Sequence, residues 1–206
     1  MNIITRAKAI ENLKKYIGQD LRELAIQYKI TTFETGKQNK GWKGLVLERL
    51  AGLTNNNSKA PNGLTYELKS VSFNYDRKGK LKPKETMAIT MLNQKQLLEE
   101  DFFSSHCWAK LKTIVFCAVA WHGKNADKAE IIDVVSLDFA ETDDLIMEIK
   151  ADYDFIRNKL KTQGFEALTG RDGKWIQART KGSKNSTTRA FYARPQLVAK
   201  IFEIAK

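Results

Sequence analysis

The feature that most constrains the fold is an uninterrupted apolar run from Thr113 to Trp121. Nine residues without a charge, rich in β-branched and aromatic side chains, favour a short buried strand over a helix. Because apolar side chains lie on both faces of such a strand, both faces must be covered, as they are at the centre of a sheet flanked by helices. The run therefore predicts the central strand of a mixed α/β fold.

The remaining pattern supplies helices and further strands around this run. Helical periodicity covers residues 6–17, 20–28, 41–52, 94–101, 141–162 and 195–205. Strand patterns cover residues 64–73, 85–92, 130–137 and 174–179, with the first two joined by a polar hairpin at 76–80. Turn-rich segments such as 54–63 interrupt the pattern. We expect a single α+β domain over residues 1–206, divided into two lobes.

Charge is the strongest compositional signal. The chain has 35 Lys and Arg against 24 Asp and Glu, a formal net charge of +11. This excess favours a polyanionic partner, nucleic acid before an anionic membrane, and no basic amphipathic helix with an aromatic face supports the membrane. The N-terminal sequence lacks the apolar core of a signal peptide, so we expect a cytoplasmic protein with Cys107 and Cys117 reduced.

Several enzyme classes lack their motifs in this sequence. His106 and His122 are the two histidines, and no His/Cys cluster has the spacing of a zinc site. There is no phosphate-binding G-x-x-x-x-G-K-[ST] loop and no G-x-S-x-G nucleophile turn. Zinc hydrolases, nucleotide triphosphatases and α/β-hydrolases are therefore disfavoured.

The segment around Glu67 and Lys69 is the candidate for catalysis. Alternation along a strand turns Leu64, Tyr66 and Leu68 to the core and directs Glu67 and Lys69 together to the other side. A carboxylate for Mg²⁺ and an ammonium about 7 Å away suit metal-assisted phosphodiester hydrolysis. The plainer alternative is an ordinary acid and base on the exposed face of an amphipathic strand.

The sequence context favours the catalytic interpretation. Pro61-Asn62 precedes the strand where the PD-(D/E)XK nuclease pattern has Pro-Asp. Glu48 lies one helix upstream among leucines, and acids are rarely left on a packed face without a partner, which a metal would provide.

Several segments, in one order, resemble the mismatch-repair nickase MutH and the related GATC-cutting type II restriction endonucleases. They are residues 40–48, 66–69, 105–106 with 110–112, 171–181 and 189–192. The resemblance implies a PD-(D/E)XK restriction-endonuclease-like fold, in which a central mixed sheet is flanked by helices. An N-terminal catalytic lobe and a C-terminal DNA-reading lobe would then enclose a cleft for double-stranded DNA.

The resemblance also implies roles for particular residues. It makes Glu48 the upstream acid, Asn62 and Glu67 ligands of one or two Mg²⁺ ions with the Leu68 carbonyl, Lys69 the catalytic lysine, and Lys110 a second active-site lysine. It makes Arg179 and Lys181 readers of base edges, Tyr192 the sensor of the adenine in GATC, and Arg189 part of the reading segment. Lys40 and the loop 181–186, including Ser183 and Lys184, would hold phosphates.

One position departs from the family pattern. Asn62 stands where the family has its metal-binding Asp, five rather than seven residues before Glu67. An amide oxygen can bind Mg²⁺ but brings no charge, so metal affinity and water activation should both fall. Asn62 is either a natural variant or a deliberate Asp→Asn exchange that keeps a DNA complex uncut, and the intact remainder of the site favours the exchange.

Three functions follow from these expectations. The favoured one is a type II restriction endonuclease that cuts a GATC-like site, as a monomer or transient dimer. The second is a MutH-type nickase of hemimethylated GATC that responds to a MutL-like partner. The third is a DNA-binding protein that has lost catalysis through Asn62.

Overall fold

A computed structural model describes residues 4–34, 37–39, 41–53, 65–122, 128–182 and 186–206. The helices α1 to α7 are Arg6–Lys14, Leu21–Gln27, Trp42–Ala51, Gln94–Glu99, His106–Leu111, Asp144–Gln163 and Pro195–Ile204. The strands β1 to β9 are Phe33–Glu34, Lys37–Gln38, Glu67–Tyr75, Leu81–Pro83, Met87–Met91, Thr113–His122, Lys128–Asp138, Ile176–Thr180 and Arg189–Ala193. None of these helices is long and apolar enough to cross a membrane.

The central sheet has four strands in the order β4-β3-β6-β7. Strand β6 pairs in parallel with β3, so that Glu67 lies beside Ile114 and Asn74 beside Trp121, and it pairs antiparallel with β7. Both neighbours of β6 are therefore strands, and Ile114 to Ala120 are buried. The prediction of a central apolar strand in a mixed sheet is confirmed.

Helices cover both faces of this sheet, because the side chains of β6 alternate between two cores. Val115, Cys117 and Val119 pack in a cluster with apolar residues of α1, α2 and α3. Ile114, Phe116 and Ala118 pack on the opposite face with residues of α6 and α7. Cys107 and Cys117 are buried free thiols. The predicted fold class is thereby confirmed.

A second sheet of three strands follows the order β5-β9-β8, and all its pairs are antiparallel. Its apolar residues, among them Ile176 and Phe191, belong to the same core cluster as Phe73 and Phe116 of the central sheet. This reading sheet, as we call β5, β8 and β9, is thus joined to the central sheet by a shared core.

The predicted pairing of the first two strands is wrong. The partner of β3 is the three-residue strand β4, and β5 pairs with β9 in the reading sheet. Asp76 accepts hydrogen bonds from the main-chain N–H groups of Lys78 and Lys80, and Gly79 has φ 74°, so the turn closes early and β4 takes the position beside β3. Strand β9 begins at Arg189, outside every strand pattern predicted from the sequence.

Candidate active site and DNA-reading surface

Strand β3 places Glu67 and Lys69 on one side of the central sheet. Tyr66 and Leu68 pack in the cluster of α1 to α3, as the alternation predicted. The Lys69 Nζ lies 2.8 Å from the Glu67 Oε1, and the Glu67 side chain is only 4% exposed. Glu67 and Lys69 are therefore not an ordinary exposed pair, because the Glu67 carboxylate is buried and needs the charge of Lys69 beside it.

Helix α5 adds Lys110 to this pair. The helix begins after Ser105, whose Oγ accepts from the Trp108 N–H and donates to the Phe102 carbonyl at 2.6 Å. Further along the same helix, the Lys110 Nζ donates to Glu67 Oε1 and Oε2 at 3.1 and 3.2 Å. The side chains of Glu67, Lys69 and Lys110 form what we call the catalytic cluster.

The electrostatics of the catalytic cluster favour an anion. One carboxylate faces two ammonium groups, whose side chains are 14% and 13% exposed for Lys69 and Lys110. Burial lowers the pKa of Lys69, Glu67 opposes this by raising it, and the charges of Lys110 and Lys181 lower it further. Excess positive charge in a partly desolvated site is suited to a phosphate group.

Lys69 also joins the two sheets. Its Nζ donates to the Ile89 carbonyl on β5 at 3.2 Å. Ile89 is the extra residue of a β-bulge between Ala88 and Thr90, and Ala88 is paired with Tyr192 of β9. The predicted catalytic lysine thus contacts the strand next to the predicted adenine sensor.

Arg179 and Tyr192 lie together on the reading sheet. Tyr192 pairs with Gln177 of β8, and the Arg179 Cζ lies 5.2 Å from the centre of the Tyr192 ring. Arg179 is exposed and Tyr192 is half-buried. Burial raises the pKa of Tyr192, and the charge of Arg179 opposes that change. The ring holds the guanidinium at the surface, where it can donate to a base edge.

Asp152 fixes the start of β8, and sequence reasoning missed it. Its buried carboxylate on α6 accepts from the main-chain N–H groups of Lys174 at 2.7 Å, Ile176 at 2.9 Å, and Trp175. Gly173 has φ 78°, and an added Cβ would meet the Ile176 carbonyl at 2.1 Å. The signal was present in the sequence: Asp152 interrupts the apolar face of α6.

Arg189 was predicted to belong to the DNA-reading segment, and its guanidinium is engaged inside the protein. It is buried and donates to the Leu168 carbonyl at 3.3 Å, the Thr180 hydroxyl at 3.3 Å and the Glu166 carboxylate at 3.1 Å. These bonds link β9 to β8 and to the loop before β8. The Arg189 guanidinium is therefore bonded to other segments of the protein, and its role at DNA stays a prediction.

The other predicted site residues fall into two groups. Glu48 lies on α3, partly buried, in the wall of a cavity of about 640 Å³ that Tyr28, Leu45 and Leu53 also line. Lys181 is exposed at the end of β8, close enough to influence Lys69. Lys40, Asn62, Ser183 and Lys184 lie outside the described residues.

The described donors are of the kind that a hard divalent cation takes. Glu67 provides a carboxylate and Leu68 a main-chain carbonyl, and Mg²⁺ uses one or two protein carboxylates while keeping several waters. Within the ranges described, no three His, Cys, Asp or Glu side chains group as a metal site. These residues therefore fit an ion that few protein groups hold. Because two ammonium groups already surround Glu67, a DNA phosphate would have to help bind the ion.

Comparison with known families agrees with this site. Residues 51–152 match the family described as "MutH: DNA mismatch repair enzyme MutH". The matched segment contains β3, α5 and β6, and with them all three residues of the catalytic cluster. No curated protein matches the sequence significantly.

Proposed function

Because residues 51–152 match the model of the family described as the DNA mismatch repair enzyme MutH, we propose that the chain is a sequence-specific, Mg²⁺-dependent endonuclease of double-stranded DNA. Its favoured role is that of a type II restriction enzyme at a GATC-like site. The observation that carries the proposal is the catalytic cluster, in which a buried carboxylate is held between two lysines on the matched segment.

The residues of the cluster have separate tasks in this proposal. Glu67, the Leu68 carbonyl and Asn62 would hold Mg²⁺, which supplies Lewis-acid polarisation of the phosphate and a more acidic water. The Lys69 ammonium, fixed by Glu67 and Ile89, orients the attacking water. Lys110 offsets the charge that develops on the phosphoryl oxygens. Arg179, Lys181 and Tyr192 select the sequence from the major groove.

Two further roles rest on the same site. A nickase of hemimethylated GATC, working with a MutL-like partner, is supported by the mismatch-repair description of the matched family. A DNA-binding protein without catalysis is supported by Asn62, whose amide brings no charge to a metal. If Asn62 is an inactivating exchange, the parent protein with an aspartate at this position would be the active endonuclease.

Digestion of a supercoiled plasmid with Mg²⁺ tests the proposal and separates these roles. Linear fragments from a GATC-containing plasmid support a restriction enzyme, whereas open circles formed only on hemimethylated DNA support a nickase. Glu67→Gln should abolish either product, while the matched exchange Glu203→Gln on the exposed face of α7 should leave it intact.

A weak or absent reaction has its own test. Asn62→Asp restores a negative charge at the predicted metal ligand, so cleavage should rise by about two orders of magnitude or more. Specific DNA binding without cleavage, in both the original chain and Asn62→Asp, would contradict the endonuclease proposal and leave a binding protein.

A further inference from the structure

The turn between β3 and β4 carries a concentration of positive charge that the catalytic cluster does not use. Between Asp76 and Lys84, which we call the basic hairpin, five of nine residues are basic: Arg77, Lys78, Lys80, Lys82 and Lys84. All five are exposed. The hairpin lies at the end of β3 opposite to Glu67, so it is a separate feature of the surface.

Most of this charge is uncompensated. The Lys82 Nζ lies 2.8 Å from the Asp76 carboxylate, which also accepts from the N–H groups of Lys78 and Lys80. Lys82 and these N–H groups hold the pKa of Asp76 down to about 2. Arg77, Lys78 and Lys80 have no acidic partner in the described parts of the chain. Their ammonium and guanidinium groups therefore point to solvent with their charge unbalanced.

An aromatic ring lies beside the hairpin. The exposed Lys84 places its Nζ 4.4 Å from the centre of the Trp121 ring. The Lys43 Nζ lies 5.3 Å from the same ring, but its side chain is only 14% exposed and Glu85 balances its charge at 3.2 Å. The exposed Tyr75 side chain packs near His122 at a ring separation of 5.7 Å. The exposed cations of the hairpin, with Lys84 placed over the Trp121 ring, suit the phosphate backbone of a duplex.

A plainer explanation for the lysines of the hairpin is protection of a sheet edge, since β4 is an edge strand and lysines block edge-to-edge pairing. The other edge of the same sheet argues against it. Strand β7 is also charged, but with Glu130, Asp133 and Asp138 against Lys128. Each of these three acids has a basic partner, for example Arg6 with Asp138 at 2.6 Å. Edge protection thus does not require the unbalanced positive charge of the hairpin.

We propose that the basic hairpin binds the phosphate backbone of the DNA duplex outside the recognised sequence. The inference rests on the proposed function, because the distance is measured from the catalytic cluster. Glu67 and Tyr75 are eight residues apart on β3, a span of about 26 Å. For a duplex whose axis runs along β3, at about 3.4 Å per base pair, the hairpin reaches phosphates about eight base pairs from the cleaved bond.

The salt dependence of binding to two duplexes tests the inference. One duplex has about four base pairs on each side of the site and the other about twelve, so that only the longer one reaches the hairpin. Binding is measured by fluorescence anisotropy with Ca²⁺ in place of Mg²⁺. The variant is Arg77→Gln/Lys78→Gln/Lys80→Gln, which preserves the main-chain bonds to Asp76. The control Lys8→Gln/Lys14→Gln/Lys15→Gln removes the same charge from α1 and the residue that follows it.

On the longer duplex, the slope of log K against log salt should fall by about 0.9 for each lost phosphate contact, or about 2.7 for three. On the shorter duplex, the hairpin variant should have the same slope as the unmodified protein. The α1 control should match the unmodified protein on both duplexes. An unchanged slope on the longer duplex would overturn the inference in favour of edge protection. An equal decrease in slope for the hairpin variant and the control would overturn the inference, because it would show that only the net charge of the protein matters.

The result is independent of cleavage, so the two proposals fail separately. If the chain cuts plasmid DNA but the hairpin variant keeps the slope of the unmodified protein, the proposed function stands and the inference is wrong. A chain that shows the hairpin effect but cuts no DNA retains the DNA contact and loses the endonuclease.

Discussion

The catalytic cluster and the reading sheet use charge in opposite ways. Lys69 and Lys110 both bond to Glu67, and none of the three side chains is more than 14% exposed. Arg179 and Lys181 are exposed, and neither side chain donates a hydrogen bond within the described residues. Under the proposed function, the difference means that the charged groups for the reaction are in place before DNA arrives, whereas the donors for recognition stay available for the bases.

Removing a member of the catalytic cluster should have the largest effect. Lys69→Ala should lower kcat by about 10²–10⁴-fold, because the attacking water loses its positioning group and Glu67 loses a buried partner. The Kd for DNA should change by less than about threefold, since few phosphate contacts are lost. Single-turnover cleavage and anisotropy give the two values. The exposed Lys112→Ala is the control, and a rate as slow as that of Lys69→Ala would show a general charge effect.

Loss of the support beneath β8 should reduce stability next. Asp152→Asn replaces a carboxylate that accepts three main-chain bonds with an amide that offers one acceptor oxygen. The free energy of unfolding should fall by about 3 kcal/mol, measured by urea denaturation. Asp154→Asn on the exposed side of α6 should cost less than about 0.5 kcal/mol. Equal stability of the two variants would mean that β8 does not depend on α6.

Changes to the reading sheet should alter selectivity more than rate. Arg179→Ala should cost about 1–3 kcal/mol of discrimination, visible as a smaller ratio of kcat/KM between the preferred site and sites with one changed base pair. The exposed Arg171→Ala is the matched control. A uniform loss of kcat on all sites would place Arg179 in catalysis and remove the contrast between the two regions.

The smallest effect is expected at Tyr192. Tyr192→Phe removes the hydroxyl but keeps the ring beneath Arg179, so discrimination at the sensed base should change by about 1 kcal/mol or less. Tyr192→Ala also removes the ring and should approach the effect of Arg179→Ala. Competitive cleavage of two sites in one tube measures the discrimination of both variants. Identical discrimination by the two Tyr192 variants would show that Arg179 does not depend on the ring.

Local patterns predicted the parts of the site that depend on a single strand. Period-two alternation placed Glu67 and Lys69 on one side of β3, and the apolar run placed β6 at the centre of the sheet. The approach of Lys110 came from the family resemblance, because spacing along the chain says nothing about how α5 meets β3.

Those patterns could not predict which strands pair when they are far apart in the sequence. A strand pattern does not name its partner, so β5 was assigned to a hairpin with β3 instead of to β9. Asp152 and Arg189 have their roles because main-chain donors and acceptors from distant segments converge on them. Such convergence depends on the packed fold. The place of Asp152 on the apolar face of α6 indicates a buried partner, but the sequence does not say which main-chain groups supply it.

The pairing of β5 with β9 has a consequence for how the chain is made. About a hundred residues separate Met87–Met91 from Arg189–Ala193, so on the ribosome β5 is complete long before the strand it pairs with has been synthesised. Strands β3 and β6 of the central sheet lie entirely within the first 122 residues. Contacts at such separation close slowly, so we expect the reading sheet to assemble late in folding.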